Sequence, residues 1–257
     1  MRVGVIADIH SNLEALEAVL AAANDVEEIW CLGDTVGYGP NPNECVELVR
    51  DRAAICVAGN HDWAALGKIS TVDFNQEAAA AAQWTSRQLG PKNREFLESL
   101  PLKVEKDSFT IVHGSPRDPI WEYVLYSSTA EINTHYFRTP YCLVGHSHLP
   151  VIFFCAQDAE PSSNRDPSHG TLESGDCRSL QPVPDEPIQL GTDRAIINPG
   201  STGQPRDGIP EASFITIDTR LHRVTYHRVP YDIGLTQQKI QDAGLPRRLW
   251  MRLAYGM

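Results

Sequence analysis

The chain has 257 residues, 42% of them apolar, which is ample for a sizeable core in one large or two small domains. Its 22 Lys and Arg against 33 Asp and Glu give a formal charge of −11, which works against stable docking on the polyanionic backbone of a nucleic acid. No stretch approaches the ~18 consecutive apolar residues of a membrane span, and the opening MRVGVIADIH meets Asp8 too soon for a secretory signal, so a cytoplasmic location away from membranes is expected.

The first third alternates two periodicities. RVGVIA (2–7) is a β-branched run, and SNLEALEAVLAAA (11–23) opens with the capping-box pattern Ser11-x-x-Glu14 and carries Leu13, Leu16 and Leu20 at helical spacing. EEIWCLG (27–33) predicts a second strand, 42–51 a second helix and AAICVAG (53–59) a third strand. This is the pattern of βαβ layers, and polar residues follow each strand at once. Open α/β sheets collect their ligands there, at the carboxyl ends of the strands.

The middle reads as helical over 71–89 and 92–100, the second helix stopped by Pro101. Strands resume at 102–106, 109–114, 141–148 and 151–155. Residues 156–193 hold five prolines and no aromatic residue, a composition that predicts a flexible insertion. AIINPGSTG (195–203) follows, then a hairpin of 212–219 with 222–230, a helix from about Leu235 and a short last segment. No internal repeat is visible, so one domain over 1–257 is expected. Cys31, Cys45, Cys56, Cys142, Cys155 and Cys177 show no CxxC spacing and read as reduced core thiols rather than disulfides or zinc ligands.

Every conspicuous polar cluster follows one of these strands. ADIH supplies Asp8 and His10, LGD supplies Asp34, AGNHD supplies Asn60 and His61, IVHG supplies His113, and VGHSH supplies His146 and His148. Singly, each reads as a structural histidine or a turn aspartate. Together Asp8, Asp34, Asn60 and four imidazoles are too many for one tetrahedral zinc, and enough for two metals sharing a ligand. Two cations ~3.5–4 Å apart clamp the attacking and leaving oxygens of a displacement at phosphorus, so the pattern points to hydrolysis of a phosphate ester. The i, i+2 pair His146 and His148 shares a face and spans roughly 6–7 Å of extended chain, which suits straddling two ions.

The ordered set D-x-H, G-D, G-N-H-D, H-G and G-H-x-H resembles the signature of the calcineurin-like metallophosphoesterase superfamily over residues 8–148, with framework strands running to about 230. The resemblance implies a four-layer α/β/β/α sandwich of two mixed β-sheets with a dinuclear site at the strand ends. It implies one ion on Asp8, His10 and His148, another on Asn60, His113 and His146, with Asp34 bridging, and His61 as the catalytic residue. The implied cofactors are two divalent ions from among Mn, Fe, Zn, Co and Ni, with Mn favoured. Asp62 either orients His61 or is an exposed helix-starting aspartate.

Departures from the pattern narrow the subgroup. The protein Ser/Thr phosphatases of the superfamily carry Asp and Arg where this chain has Gly37 and Tyr38. GYGPNPNECVELV, HGSPRDPIWEYV and INPGSTGQPRDG instead resemble a compact bacterial group described as phosphodiesterases or diadenosine tetraphosphatase-like enzymes. The expected activity is therefore hydrolysis of a phosphodiester in a small organic phosphate or nucleotide. The alternatives are a phosphomonoesterase or phosphoprotein phosphatase, and then a noncatalytic scaffold. Arg117 and Arg206 each follow a proline in a turn, and read either as grips on a substrate phosphate or as surface ion pairs. Tyr38 is a further substrate-facing candidate. Trp121 and Tyr123 read as core residues before base-stacking ones, and Asn198–Ser201 as closing the rim from the second sheet.

Overall fold

The computed structural model describes residues 1–156 and 177–257. Strand β1 (Arg2–Ile6) sorts its side chains by the two-residue period. Val3 and Val5 join Trp30, Phe109 and Ile152 in a core between two sheets, while Ile6 turns outward onto Leu16, Val19 and Leu20 of helix α1 (Leu13–Ala22). The βαβ pattern continues through β2 (Glu28–Cys31), α2 (Pro42–Arg52) and β3 (Ala53–Cys56), with β1, β2 and β3 parallel. Helices α3 (Asn60–Leu66), α4 (Gln76–Gln88) and α5 (Pro91–Ser99) follow.

The second sheet begins with β4 (Lys103–Lys106) and β5 (Phe109–Val112), then α6 (Ser127–Asn133), β6 (Tyr141–Leu143), β7 (Pro150–Cys155) and β8 (Cys177–Leu180). The chain closes with β9 (Ile188–Gln189), β10 (Arg194–Pro199), β11 (Ala212–Asp218), β12 (Arg223–Val229), α7 (Ile233–Asp242) and α8 (Arg247–Met251). The two six-stranded sheets run β3-β2-β1-β11-β12-β9 and β4-β5-β6-β10-β7-β8, each mixing parallel and antiparallel pairs. Apolar clusters coat their outer faces: α1 and α2 cover the first sheet, and Ala130 of α6 with Val124 and Phe137 covers the second. The result is the expected α/β/β/α sandwich, thin on its fourth layer.

Three expectations are corrected. Helix α1 is capped by Asn12, whose side chain accepts from Ala15 N at 3.2 Å, and not by Ser11. Ser11 is drawn instead to the next loop, its amide donating to Thr35 O at 3.0 Å. Within 156–193, residues 157–176 lie outside the described residues, but Cys177–Leu180 and Ile188–Gln189 are strands, ordered by pairing with β7 and β12 rather than by their own composition. Finally, Cys155 and Cys177 form a disulfide. They stand opposite each other in the β7–β8 pair with Cα atoms 4.0 Å apart, a proximity that 22 residues of sequence separation hides. Cys31, Cys45, Cys56 and Cys142 are free, as expected. Among the described residues no helix is long and apolar enough to cross a membrane.

Candidate metal centre

The exits of β1, β2, β3, β5 and β6 meet on one rim because their backbones are cross-tied. Asp8 N donates to Gly33 O (3.1 Å) and His10 N to Asp34 O (2.9 Å), joining the first two loops. Gly145 N donates to His113 O (2.7 Å), and His146 N reaches the Asp8 carboxylate (3.1 Å), which ties the second sheet to the first. His61 N donates to Asp34 Oδ1 (2.8 Å), anchoring the start of α3. Asp8, His10, Asp34, Asn60, His61, His113, His146 and His148 are thereby gathered together, each at most 5% exposed.

The backbone itself is unusual there. Asp8, His10, Asp34, His146 and His148 all have φ between 50° and 65°, in the left-handed region that side chains other than glycine rarely adopt. Ser11 and Tyr38 share it. Each such residue costs on the order of 1–3 kcal/mol, sustained only where surrounding structure over-determines it.

Three groups of donors each lie within 4.8 Å of one another: Asp8, His10 and His148; His10, Asp34 and His61; Asp34, His113 and His146. Their hydrogen bonds decide whether they suit cations. His10 Nδ1 donates to Val36 O (3.1 Å) and His148 Nδ1 to Gln204 O (2.6 Å), so in the neutral rings both Nε2 atoms carry lone pairs. Those two atoms face each other at 3.1 Å. His113 Nδ1 likewise donates to Leu32 O (2.9 Å), turning its Nε2 toward Asn60 Oδ1 (3.1 Å) and Asp34 Oδ2 (3.3 Å). His146 Nε2 donates to Trp121 O (3.2 Å), leaving Nδ1 as its lone pair. Asp34 Oδ2 is buried without a hydrogen-bond partner and lies 3.7 Å from His10 Nε2. Lone pairs turned on one another around an orphaned carboxylate oxygen fit divalent ions better than any internal hydrogen-bond scheme.

The electrostatics agree. Burial holds His10 and His148 well below the usual histidine range, and burial together with neighbouring His113 takes His146 to about 3. Asp34 stays far below the carboxylate range although burial opposes it, because His113 and His61 stand beside it. Burial raises Asp8 to about 7; burial lowers His113, but the adjoining Asp34 carboxylate more than reverses this, to about 9. Metal ligands must be deprotonated, so loading the metal-free protein is expected to displace about two protons near pH 6 and about one near pH 8, where Asp8 is already ionised. Calorimetric titration in two buffers of different ionisation enthalpy reads that number. Proton release near zero at the lower pH would remove Asp8 and His113 from the ligand set.

Around the set, Gly37 lies so close to His61 that a Cβ on it would come within 2.6 Å of Nδ1, an atom that is buried without a partner. Tyr38 is buried with its ring 4.4 Å from His61 and 4.6 Å from His10. Asp62 is fully buried and accepts from Val36 N (3.1 Å) and Gly59 N (2.9 Å), so it locks two ligand loops and is neither exposed nor bonded to the His61 ring. Trp121 and Tyr123 are 37% and 45% exposed rather than core residues, and Tyr123 stacks on His146 at 3.9 Å. Arg117 is exposed and committed to Glu122, which also accepts from Ser115 and Asn133, so it is not brought into the set. Arg206 stays near the rim, Nη2 donating to Gln204 Oε1 (3.1 Å). Asn198 donates to Gly145 O (2.7 Å) and Ser147 Oγ (3.0 Å), and Ser201 to Asp8 O (2.8 Å), so this stretch positions the ligand loops from behind.

A two-sheet sandwich with a buried His/Asp/Asn set of this kind at its strand ends defines the class of metal-dependent hydrolases acting on phosphate esters. The chain belongs to the calcineurin-like phosphoesterase superfamily, whose domain model matches residues 1–221. It is 39% identical over 262 residues to the uncharacterized protein MJ0912 of Methanocaldococcus jannaschii, spanning 99% of this chain and 98% of that one. Its structure matches that of a metallophosphoesterase from Sphaerobacter thermophilus at a TM-score of 0.86 with 45% identity, over 100% of this chain and 99% of the other. Hypothetical protein PH1004 from Pyrococcus horikoshii OT3 shares the fold at a TM-score of 0.76 and 21% identity, over 100% and 98% of the two chains.

Proposed function

We propose that the chain is a phosphodiesterase dependent on two divalent ions, acting on a small organic phosphate or nucleotide. The observation that carries this reading is the pair of facing His10 and His148 nitrogens beside the partnerless Asp34 oxygen, an arrangement that cations complete. Asp8, His10 and His148 would hold one ion, and Asn60, His113 and His146 the other, with Asp34 shared and manganese favoured. When bound, such ions make water nucleophilic near neutral pH and neutralise phosphate oxygens.

The chain's own residues supply the rest. His61, its amide fixed by Asp34 and its ring held between Tyr38 and Phe74, is the group we assign to protonating the leaving alkoxide. Burial lowers its pKa to about 4, and the negative charge of an arriving phosphate acts in the opposite direction. Tyr38 and Arg206 are the substrate-facing residues. The diester preference is supported by residues 37 and 38, where a glycine and a tyrosine stand in place of the Asp and Arg of the protein phosphatases, and by the two aromatic rings, Tyr38 beside His10 and Tyr123 beside His146.

Metal-stripped protein reloaded with Mn²⁺ tests this on bis(p-nitrophenyl) phosphate and p-nitrophenyl phosphate side by side. The expected kcat/KM on the diester exceeds that on the monoester by about tenfold, a difference of about 1.4 kcal/mol in transition-state stabilisation. A monoester preference would assign the chain to the phosphomonoesterases instead, and no metal-dependent turnover of either would favour the scaffold reading.

A further inference from the structure

In a chain of net charge −11, one flank of the site is locally positive. A cavity of about 340 Å³ has Tyr38, Tyr123, Arg206, Arg248 and Arg252 in its walls. Because Tyr38 packs on His61 and Tyr123 on His146, this cavity begins at the edge of the ligand set. Its size falls within the roughly 300–1,000 Å³ of small-molecule sites. A second cavity, of about 820 Å³, shares the three arginines and adds Arg247.

The arginines come from the end of the chain and are aimed by packing. Arg248 and Arg252 are four residues apart, one helical turn, on and just after α8. The intervening Leu249 and the following Leu253 pack with Tyr38 and with Ala78 and Ala81 of α4, which seats this segment against the site. Glu77 is the one Asp or Glu in either cavity wall, and among the described residues no Asp or Glu oxygen comes within 4.0 Å of the three guanidinium groups. Arg206 donates to Gln204 and Arg252 to the main-chain oxygen of Met257, while Arg206 Nε is buried with no acceptor. Burial, with the like charges of Arg206 and Arg248, depresses Arg252 to about 10, although Tyr38 and the Glu77 carboxylate act in the opposite direction.

We infer that Arg206, Arg248 and Arg252 form a second anion subsite, which binds a phosphoryl group of the substrate other than the one being hydrolysed. The substrate class is then an ester carrying at least two phosphoryl groups, such as a nucleoside polyphosphate. Guanidinium groups suit this task because each presents a planar fork of donors to phosphate oxygens. The inference rests on the phosphodiesterase reading of the metal centre.

Titration calorimetry of tripolyphosphate into metal-free protein separates the arginines from the ions. The wild type is expected to bind about tenfold more tightly than the R248Q/R252Q variant, and more tightly than it binds orthophosphate. Equal affinities in the two proteins, no binding by the wild type, or orthophosphate binding as tight as tripolyphosphate would each overturn the subsite. Arg248→Gln alone, at an exposed position, is expected to lose several-fold and decides the matter should the double variant not fold. With Mn²⁺-loaded protein, the KM for the p-nitrophenyl ester of thymidine monophosphate is expected to exceed that for the γ-p-nitrophenyl ester of thymidine triphosphate by about tenfold, a ratio that collapses in the double variant. A ratio unmoved by the substitutions overturns the substrate role. Tripolyphosphate binding that depends on the arginines, with no turnover of either ester, supports the subsite and counts against the phosphodiesterase reading alone.

Discussion

Asp34→Ala is expected to abolish nearly all activity, by about a thousandfold or more, together with the high-affinity binding of both ions. Loss of an outer partner of a metal ligand already costs about 10–100-fold in affinity or activity, and Asp34 stands inside the proposed ligand set. Its Oδ2 lies 3.3 Å from His113 Nε2 and 3.7 Å from His10 Nε2, one imidazole from each proposed ion, while Oδ1 holds the His61 amide. One substitution therefore removes the shared charge, the link between two ligand groups and the anchor of α3. Asp34→Asn separates these effects, because it retains an oxygen for the His61 amide but not the charge. Elemental analysis should find fewer than two ions per chain in both variants. An alanine variant with two ions and wild-type turnover would sink the shared-ligand assignment.

His61→Ala is expected to lower kcat by about 10²–10⁴-fold while leaving the metal content unchanged. The size of the loss should depend on the leaving group. A p-nitrophenolate departs without much help, so the variant should be damaged least on p-nitrophenyl esters and most on alkyl esters, whose alkoxides need a proton as the bond to phosphorus breaks. Equal losses across leaving groups would remove His61 from the role of general acid. A fall in bound metal would instead move it into the ligand set, a placement its proximity to His10 and Asp34 makes worth measuring.

The strand-end residues were legible because each follows a short apolar run, where the chain leaves a sheet and polar side chains gather. Five such exits on one rim make the gathering of these side chains legible in the sequence. What escaped depended on distance through space. Ser11 matched a capping pattern, yet the next loop claimed its amide and Asn12 took the cap. Cys155 and Cys177 sit opposite each other through a strand pairing that composition does not announce, and β8 and β9 owe their order to their neighbours. Trp121 and Tyr123 look like core residues by type, but both touch His146 at the candidate metal centre and are partly open to solvent. Arg248 and Arg252 carry no signal of their own, since nothing near them in sequence records that α8 packs against Tyr38.

The left-handed conformations of Asp8, His10, Asp34, His146 and His148 bear on transplantation of the site. A designer who copied these five side chains onto regular strands would reproduce the chemistry on paper and lose the directions in which the groups point. The transferable unit is the loop with its anchors, including the Ser201 hydroxyl on Asp8 O and the Asn198 amide on Gly145 O. Divergence within such a scaffold is accordingly easiest in the surrounding walls, where Arg248 and Arg252 stand outside the cross-tied loops.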